Sequence, residues 1–175
     1  MFFAALPDED TRSRLIDAAR AVQVAAPARL VTPSNYHLTL AFVGDVEPAR
    51  VALLREVGGA AQVEEFSLAI TAYEHWPDSQ VLVLTAPVLP ASLQDLWRTL
   101  HTGFLTGAEM RAQAPLRAHV TLARKVVQAP VLPAMSAFDW KVRAFSLMRS
   151  DRVGHRQVYT VVATWPLLDE SASAR

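Results

Sequence analysis

The chain's 175 residues are 51% hydrophobic and 19% charged, with 17 basic against 17 acidic side chains and no cysteine. That is a globular composition with ample apolar material for a core, and the length fits one domain or two small lobes sharing a core. Disulfides, thiolate metal sites and a cysteine nucleophile are excluded, and zero net charge argues against a protein that grips long nucleic acid by its phosphates.

MFFAAL reads as a short apolar strand ended by Pro7. From Asp8 to about Val24, Leu15, Ile16, Ala19 and Val22 recur at helical spacing, behind an acidic start that complements the helix dipole. Pro27 to Asn35 reads as loop, and HLTLAFV as a strand ending at Gly44-Asp45. A second helix is expected from Glu47-Pro48, closed by Gly58-Gly59. Phe66–Tyr73 and Val81–Thr85 read as strands joined through Glu74–Gln80. Ala91 to about Leu105 reads as an amphipathic helix stopped by Gly107. A strand is expected from about Leu116 to Ala123, and Pro130 to Pro133 as loop. Trp140–Met148 and Gln157–Thr164 are expected to form a closing hairpin around Asp151–Gly154. The small, polar tail after about Leu168 is expected to be disordered. No apolar run is long enough to span a bilayer, and MFFAALPDED lacks a basic n-region and a long apolar core, so a cytoplasmic location is expected.

The tetrapeptide His37-Leu38-Thr39-Leu40 recurs, one residue changed, as His119-Val120-Thr121-Leu122. On a strand, alternation puts each His and Thr on one face and the Leu and Val residues on the other. A single such motif reads most simply as a solvated sheet face; its recurrence points to chemistry. Two facing imidazoles could act as base and acid on one phosphorus centre, with the Thr hydroxyls donating to non-bridging oxygens. Arg124 could stabilise phosphate charge. Lying five residues after His119, it falls on the opposite face unless a bulge or the strand's end redirects it, and Lys125 is the weaker candidate. The duplication suggests two similar lobes related by an approximate twofold. His75, His101 and His155 read as surface residues, and no His pair has helical zinc spacing. No phosphate loop of the P-loop type is present, so ATP use is not indicated, and neither metal nor cofactor is expected. The Trp residues read as core, Trp97 on its helix stripe most simply. Trp76 and Tyr36 are the alternatives for stacking on a base, and Arg149 and Arg152 read as solvated hairpin charges.

HLTLAFVG and HVTLARK together resemble the two-histidine phosphoesterase superfamily, and within it the RNA 2′,3′-cyclic phosphodiesterases, also called 2′-5′ RNA ligases. The resemblance extends, more weakly, through MFFAALPDE, HWPDSQVLVL and FSLMRSDRVGHRQVYTVVATWPL. It implies an α+β fold of two pseudo-symmetric lobes, with antiparallel sheets lining a central groove and helices outside, forming one domain over residues 1–175. It implies metal-independent hydrolysis of an RNA terminal 2′,3′-cyclic phosphate to a 2′-phosphate, with possible reversible 2′-5′ ligation. His37 and His119 would be the catalytic pair, with His119 as base towards water and His37 as acid. Thr39, Thr121 and Arg124 would hold the phosphate. RNA 3′ ends or short oligonucleotides are the expected partners of a monomer without a membrane or metal role. Two other readings stand beside this: a non-hydrolytic RNA-end binding module, and a phosphodiesterase of small cyclic or 2′-5′-linked nucleotides.

Overall fold

The computed structural model describes residues 1–105, 114–154 and 156–169. In chain order the elements are β1 (Phe2–Ala5), α1 (Glu9–Ala21), β2 (Arg29–Leu30), a 3-10 turn (Pro33–Asn35), β3 (Leu38–Phe42), α2 (Pro48–Ala60), β4 (Phe66–Ile70), β5 (Ala72–Trp76) and β6 (Val81–Thr85). Then follow α3 (Ala91–Phe104), β7 (His119–Arg124), β8 (Phe138–Val142), β9 (Ala144–Val153) and β10 (Arg156–Pro166). The architecture is mixed α+β. An eight-stranded antiparallel sheet runs β10-β9-β1-β3-β7-β6-β5, with β2 added beside β7, and β4 and β8 form a separate pair.

Each helix follows from its local chemistry. Asp8 caps α1, its carboxylate accepting the Thr11 N–H at 2.9 Å, and Leu15 and Ala19 turn inward. Pro48 begins α2 at the position where a missing N–H costs nothing. On α3, Leu93, Leu96, Leu100 and Phe104 form one buried stripe. These faces share one core with Phe3, Leu38, Leu40, Leu82, Leu84, Val120 and Leu122 from the large sheet and Leu68, Ile70 and Trp140 from the small one. Phe2, Ala4 and Met148 form a second, smaller cluster, joined by Leu6 and Tyr159. Phe2 and Phe3 thus serve opposite faces of β1.

Several expectations need correction, mostly where pairing partners are distant in sequence. The stretch read as loop from Pro27 to Asn35 contains β2, which pairs with Arg124 and Ala123. The strand expected over Phe66–Tyr73 breaks at Thr71: β4 joins β8, whereas β5 joins β6. The connector expected at Glu74–Gln80 shrinks to Pro77–Gln80, because Glu74, His75 and Trp76 extend β5. Trp140–Met148 splits at Arg143, so Trp140 belongs to β8 and only the later residues reach the β9–β10 hairpin.

His101, expected at the surface, is 3% exposed. Its Nδ1 lies 2.7 Å from the Trp97 carbonyl and its ring packs, tilted, at 4.4 Å from Trp97, so a helix stripe of Leu and Phe has absorbed an imidazole. Burial holds its pKa below the ordinary 6.5. His75 is half-buried and donates from Nε2 to the Val126 carbonyl at 2.8 Å. Trp97 itself is half-buried. Gly107, His155 and the tail from 170 lie outside the described residues.

Gly58 and Gly59 do not close α2, which runs on to Ala60. A Cβ at Gly58 would stand 2.6 Å from the Trp165 ring, whereas one at Gly59 would meet it at an ordinary 3.6 Å. Gly58→Ala should therefore destabilise the fold by about 1–3 kcal/mol through overpacking. Gly59→Ala should stabilise it by up to about 1 kcal/mol through helix propensity. Urea unfolding of the two variants checks this; equal shifts of one sign would contradict the close approach of helix and Trp165.

Candidate active site

The two histidine motifs meet in the middle of the sheet. β3 and β7 share a single bridge, Leu38 opposite Val120. Extending that antiparallel register places His37 across from Thr121 and Thr39 across from His119. The four side chains share the face opposite the core, since Leu38 and Val120 between them are buried. The histidines are diagonal neighbours, at a separation of roughly 7–8 Å between backbones, and their charges interact.

Each motif carries the same irregularity. Between Thr39 and Ala41 the pairing with β1 skips a residue, and between Thr121 and Ala123 the pairing with β6 does likewise. Leu40 and Leu122 are the extra residues, and both are buried. An inserted residue reverses the alternation beyond it. The bulge at Leu122 therefore brings Arg124 onto the histidine face, resolving the objection that simple alternation raised. Arg124 is exposed, and its charge is felt by both imidazoles. Lys125, which unbroken alternation would have favoured, instead leaves the strand at φ +58°.

The imidazoles are held alike. His37 Nδ1 lies 2.7 Å from the Asn35 carbonyl, and His119 Nδ1 lies 2.6 Å from the Arg117 carbonyl. A carbonyl oxygen only accepts, so each neutral ring carries its proton on Nδ1 and leaves the Nε2 lone pair free. His37 packs on Phe2 at 5.0 Å and meets the edge of Tyr159 at 5.2 Å. His119 packs on Trp76 at 4.6 Å. Burial holds both pKa values below the ordinary 6.5. The carbonyl bonds oppose that shift, and the positive charge of Arg124 adds to it, together with His119 for His37 and Arg117 for His119.

Behind His119 lies a polar network that motif reading missed. The Glu74 carboxylate accepts the Trp76 indole N–H at 2.7 Å, the Thr85 hydroxyl at 3.0 Å and the Arg117 guanidinium at 3.0 Å. These bonds, Trp76 foremost, hold its pKa low. Arg117 in turn lies 4.0 Å over the Trp76 ring. Residue 117 thus orients His119 through its carbonyl while its side chain is anchored by Glu74. Trp76 is engaged against His119, and Tyr36, the other candidate for base stacking, is buried in the core. Arg149 pairs with Asp151 on the hairpin at 2.7 Å, and Arg152 is exposed. Arg29 was also missed: it stands across from Arg124 and is exposed. Among the described residues the hydroxyls of Thr39 and Thr121 and the guanidinium of Arg124 have no side-chain partner, and no three His, Asp or Glu side chains converge as a metal site would require. No described helix is long and apolar enough to cross a membrane.

The fold is thus mixed α+β, with two H-x-T-L strands meeting at the centre of its large sheet. The model of the 2′-5′ RNA ligase superfamily matches residues 7–154, and this chain belongs to that family. It is 27% identical over 169 residues to the RNA 2′,3′-cyclic phosphodiesterase of Escherichia coli (strain K12), covering 95% of this chain and 96% of the relative. It is 28% identical to the protein of the same name from Thermus thermophilus, covering 97% and 91%. Crystal structures of E. coli LigT superpose with TM-scores of 0.84 for the complex with NADP+ and 0.82 for that with 3′-AMP. Both are 27% identical, covering 95% of this chain and 96% of LigT.

The shared carbonyl anchors predict that at pH 8 both His37 and His119 are Nδ1–H tautomers, and that both titrate below 6.5. Long-range 1H–15N NMR correlation checks this. An Nε2–H tautomer at either ring, or a midpoint above 6.5, would contradict the arrangement.

Proposed function

We propose that this chain is an RNA 2′,3′-cyclic phosphodiesterase that opens the terminal cyclic phosphate to a 2′-phosphate. The observation that carries the reading is the pair of Nε2 lone pairs on one sheet face, each beside a Thr hydroxyl that has no side-chain partner among the described residues, with Arg124 turned to the same face by the bulge at Leu122. The relatives' shared activity over nearly the whole chain supports it.

In the mechanism, the cyclic phosphate lies between the two rings. His119 Nε2 takes a proton from water as its oxygen bonds to phosphorus, and the phosphorus–O3′ bond breaks. His37, protonated at Nε2, gives its proton to the departing O3′. The product is a 2′-phosphate with a free 3′-hydroxyl, and the two histidines have exchanged protonation states. We assign the base role to His119, whose anchoring bond to Arg117 lies nearer solvent. His37 sits deeper against Phe2 and Tyr159. Thr39 and Thr121 donate to the non-bridging oxygens, and Arg124 balances the charge that grows on them. If an RNA 5′-hydroxyl replaces water, the same proton transfers form a 2′-5′ linkage, and reversal cleaves it. RNA 3′ ends or short oligonucleotides are then the substrates, bound within one domain whose two halves meet at Leu38 and Val120. The groups that move protons and stabilise charge are side chains, so the step needs no added ion.

Product analysis on a short oligonucleotide ending in a 2′,3′-cyclic phosphate, with EDTA present, tests the proposal. The expected product carries a 2′-phosphate only, and Thr39→Ala or Thr121→Ala should lower kcat about 10²–10³-fold. Tight binding without product would leave an RNA-end binding module. Turnover of mononucleotides alone would point to a small-nucleotide phosphodiesterase.

A further inference from the structure

The two motif strands end differently, with Phe42 five residues after His37 and Arg124 five residues after His119, but the segments that lead into them are built alike. In each, the residue two before the histidine holds the ring by its carbonyl: Asn35 for His37 and Arg117 for His119. In each, the side chain of that same residue is tied to a strand remote in the sheet. The Asn35 amide donates to the Gln157 carbonyl on β10 at 2.9 Å, and the Arg117 guanidinium donates to the Glu74 carboxylate on β5 at 3.0 Å. Two residues further along each of those strands, an aromatic ring meets the same histidine. Tyr159 on β10 meets His37 edge-on at 5.2 Å, and Trp76 on β5 packs on His119 at 4.6 Å. β10 and β5 are the first and last in the large sheet's strand order. Each end strand thus holds one histidine twice, by a polar tether to the residue that orients it and by a ring against its imidazole.

The carbonyl bond by itself decides which ring nitrogen carries the proton. Where Nε2 points depends on where that carbonyl points. Both carbonyls precede the strand ladder, since β3 begins at Leu38 and β7 at His119, so strand pairing does not orient them. The side-chain tethers do. We propose that Asn35 and Arg117 are positioning residues whose tethers to β10 and β5 aim the two Nε2 atoms at one phosphorus. The proposal rests on the cyclic phosphodiesterase reading and adds to it the residues that set the geometry of the pair. Misplacing a reacting group by about 1 Å can cost 10²-fold in rate, so a tether can govern turnover without touching the substrate. The orienting group is backbone in both cases. Truncation of Asn35 or Arg117 to Ala therefore keeps the carbonyl and removes the tether.

The test measures kcat and KM on a cyclic-phosphate oligonucleotide for Asn35→Ala and Arg117→Ala, together with the ring Nδ1–H signals of both histidines by 1H–15N NMR at pH 8. In each variant kcat should fall about tenfold or more, with KM changed much less. The Nδ1–H signal of His37 should shift or exchange away only in Asn35→Ala, and that of His119 only in Arg117→Ala. Both tethers are exposed bonds outside the core, so neither variant removes core packing; circular dichroism checks the fold. Wild-type kcat in either variant overturns the positioning role alone. So does a change at both rings in one variant, which would mark a general loosening of the site. Wild-type protein without turnover overturns the phosphodiesterase reading, and the positioning role with it.

Discussion

Everything at the site depends on one backbone contact, the lone bridge between Leu38 and Val120. Because β3 and β7 pair there and nowhere else, the two halves of the sheet are joined at the point where the motifs cross. Antiparallel register then does the positioning: each histidine faces the other motif's threonine, an arrangement that maps onto itself under a twofold through the bridge. The buried Leu38 and Val120 fix which face the histidines take, since a slip of one residue would send both into the core. The same constraint makes the bulges informative. Leu40 and Leu122 add one residue at equivalent places, and the face changes hands at the same step in both strands. Duplication at the level of four residues thus extends to backbone irregularity, although Phe42 and Arg124 have diverged.

The electrostatics follow from that placement. Two imidazoles packed against Phe2, Tyr159 and Trp76 lose water, and cations stand nearby, so both favour the neutral form when the site is empty. An anion between them reverses the balance by favouring protonation, so under the proposed function the acid's proton is tied to the presence of phosphate. Glu74 limits the cationic field by neutralising Arg117, and its bonds to Trp76 and Thr85 make the wall behind His119 rigid. Among the described residues Arg29 and Arg124 have no such carboxylate, so two exposed like charges stand opposite one another where β2 meets the end of β7. That arrangement is unfavourable without an anion and favourable with one.

What was legible in the sequence was whatever local pattern determines. The α1 and α3 stripes, the acidic start of α1 and the His-Thr alternation all appear in the fold close to where spacing puts them. What was hidden depended on partners far along the chain. Two residues at Arg29–Leu30 carry no strand signal of their own, and the break at Thr71 arises because β4 and β5 serve different sheets. His101 looked like a surface residue because a polar type late in a helix normally is one; only the fold reveals Trp97 and Phe104 around it. Arg124 was a candidate with an obstacle, and the obstacle was a bulge that residue identity does not announce. The carbonyl anchors at Asn35 and Arg117 are backbone groups, so no side-chain motif could have pointed to them.

Under the proposed function the two imidazoles act as one unit on one phosphorus atom. Turnover of a cyclic-phosphate oligonucleotide by His37→Ala, by His119→Ala and by the double variant tests it most directly. Groups that act as a unit are strongly non-additive, so each single variant should lose at least about 10²-fold in kcat, and the double variant should be little worse than either. Losses that multiply in the double variant, or a single variant with near wild-type turnover, would show that the rings act independently and would contradict the account.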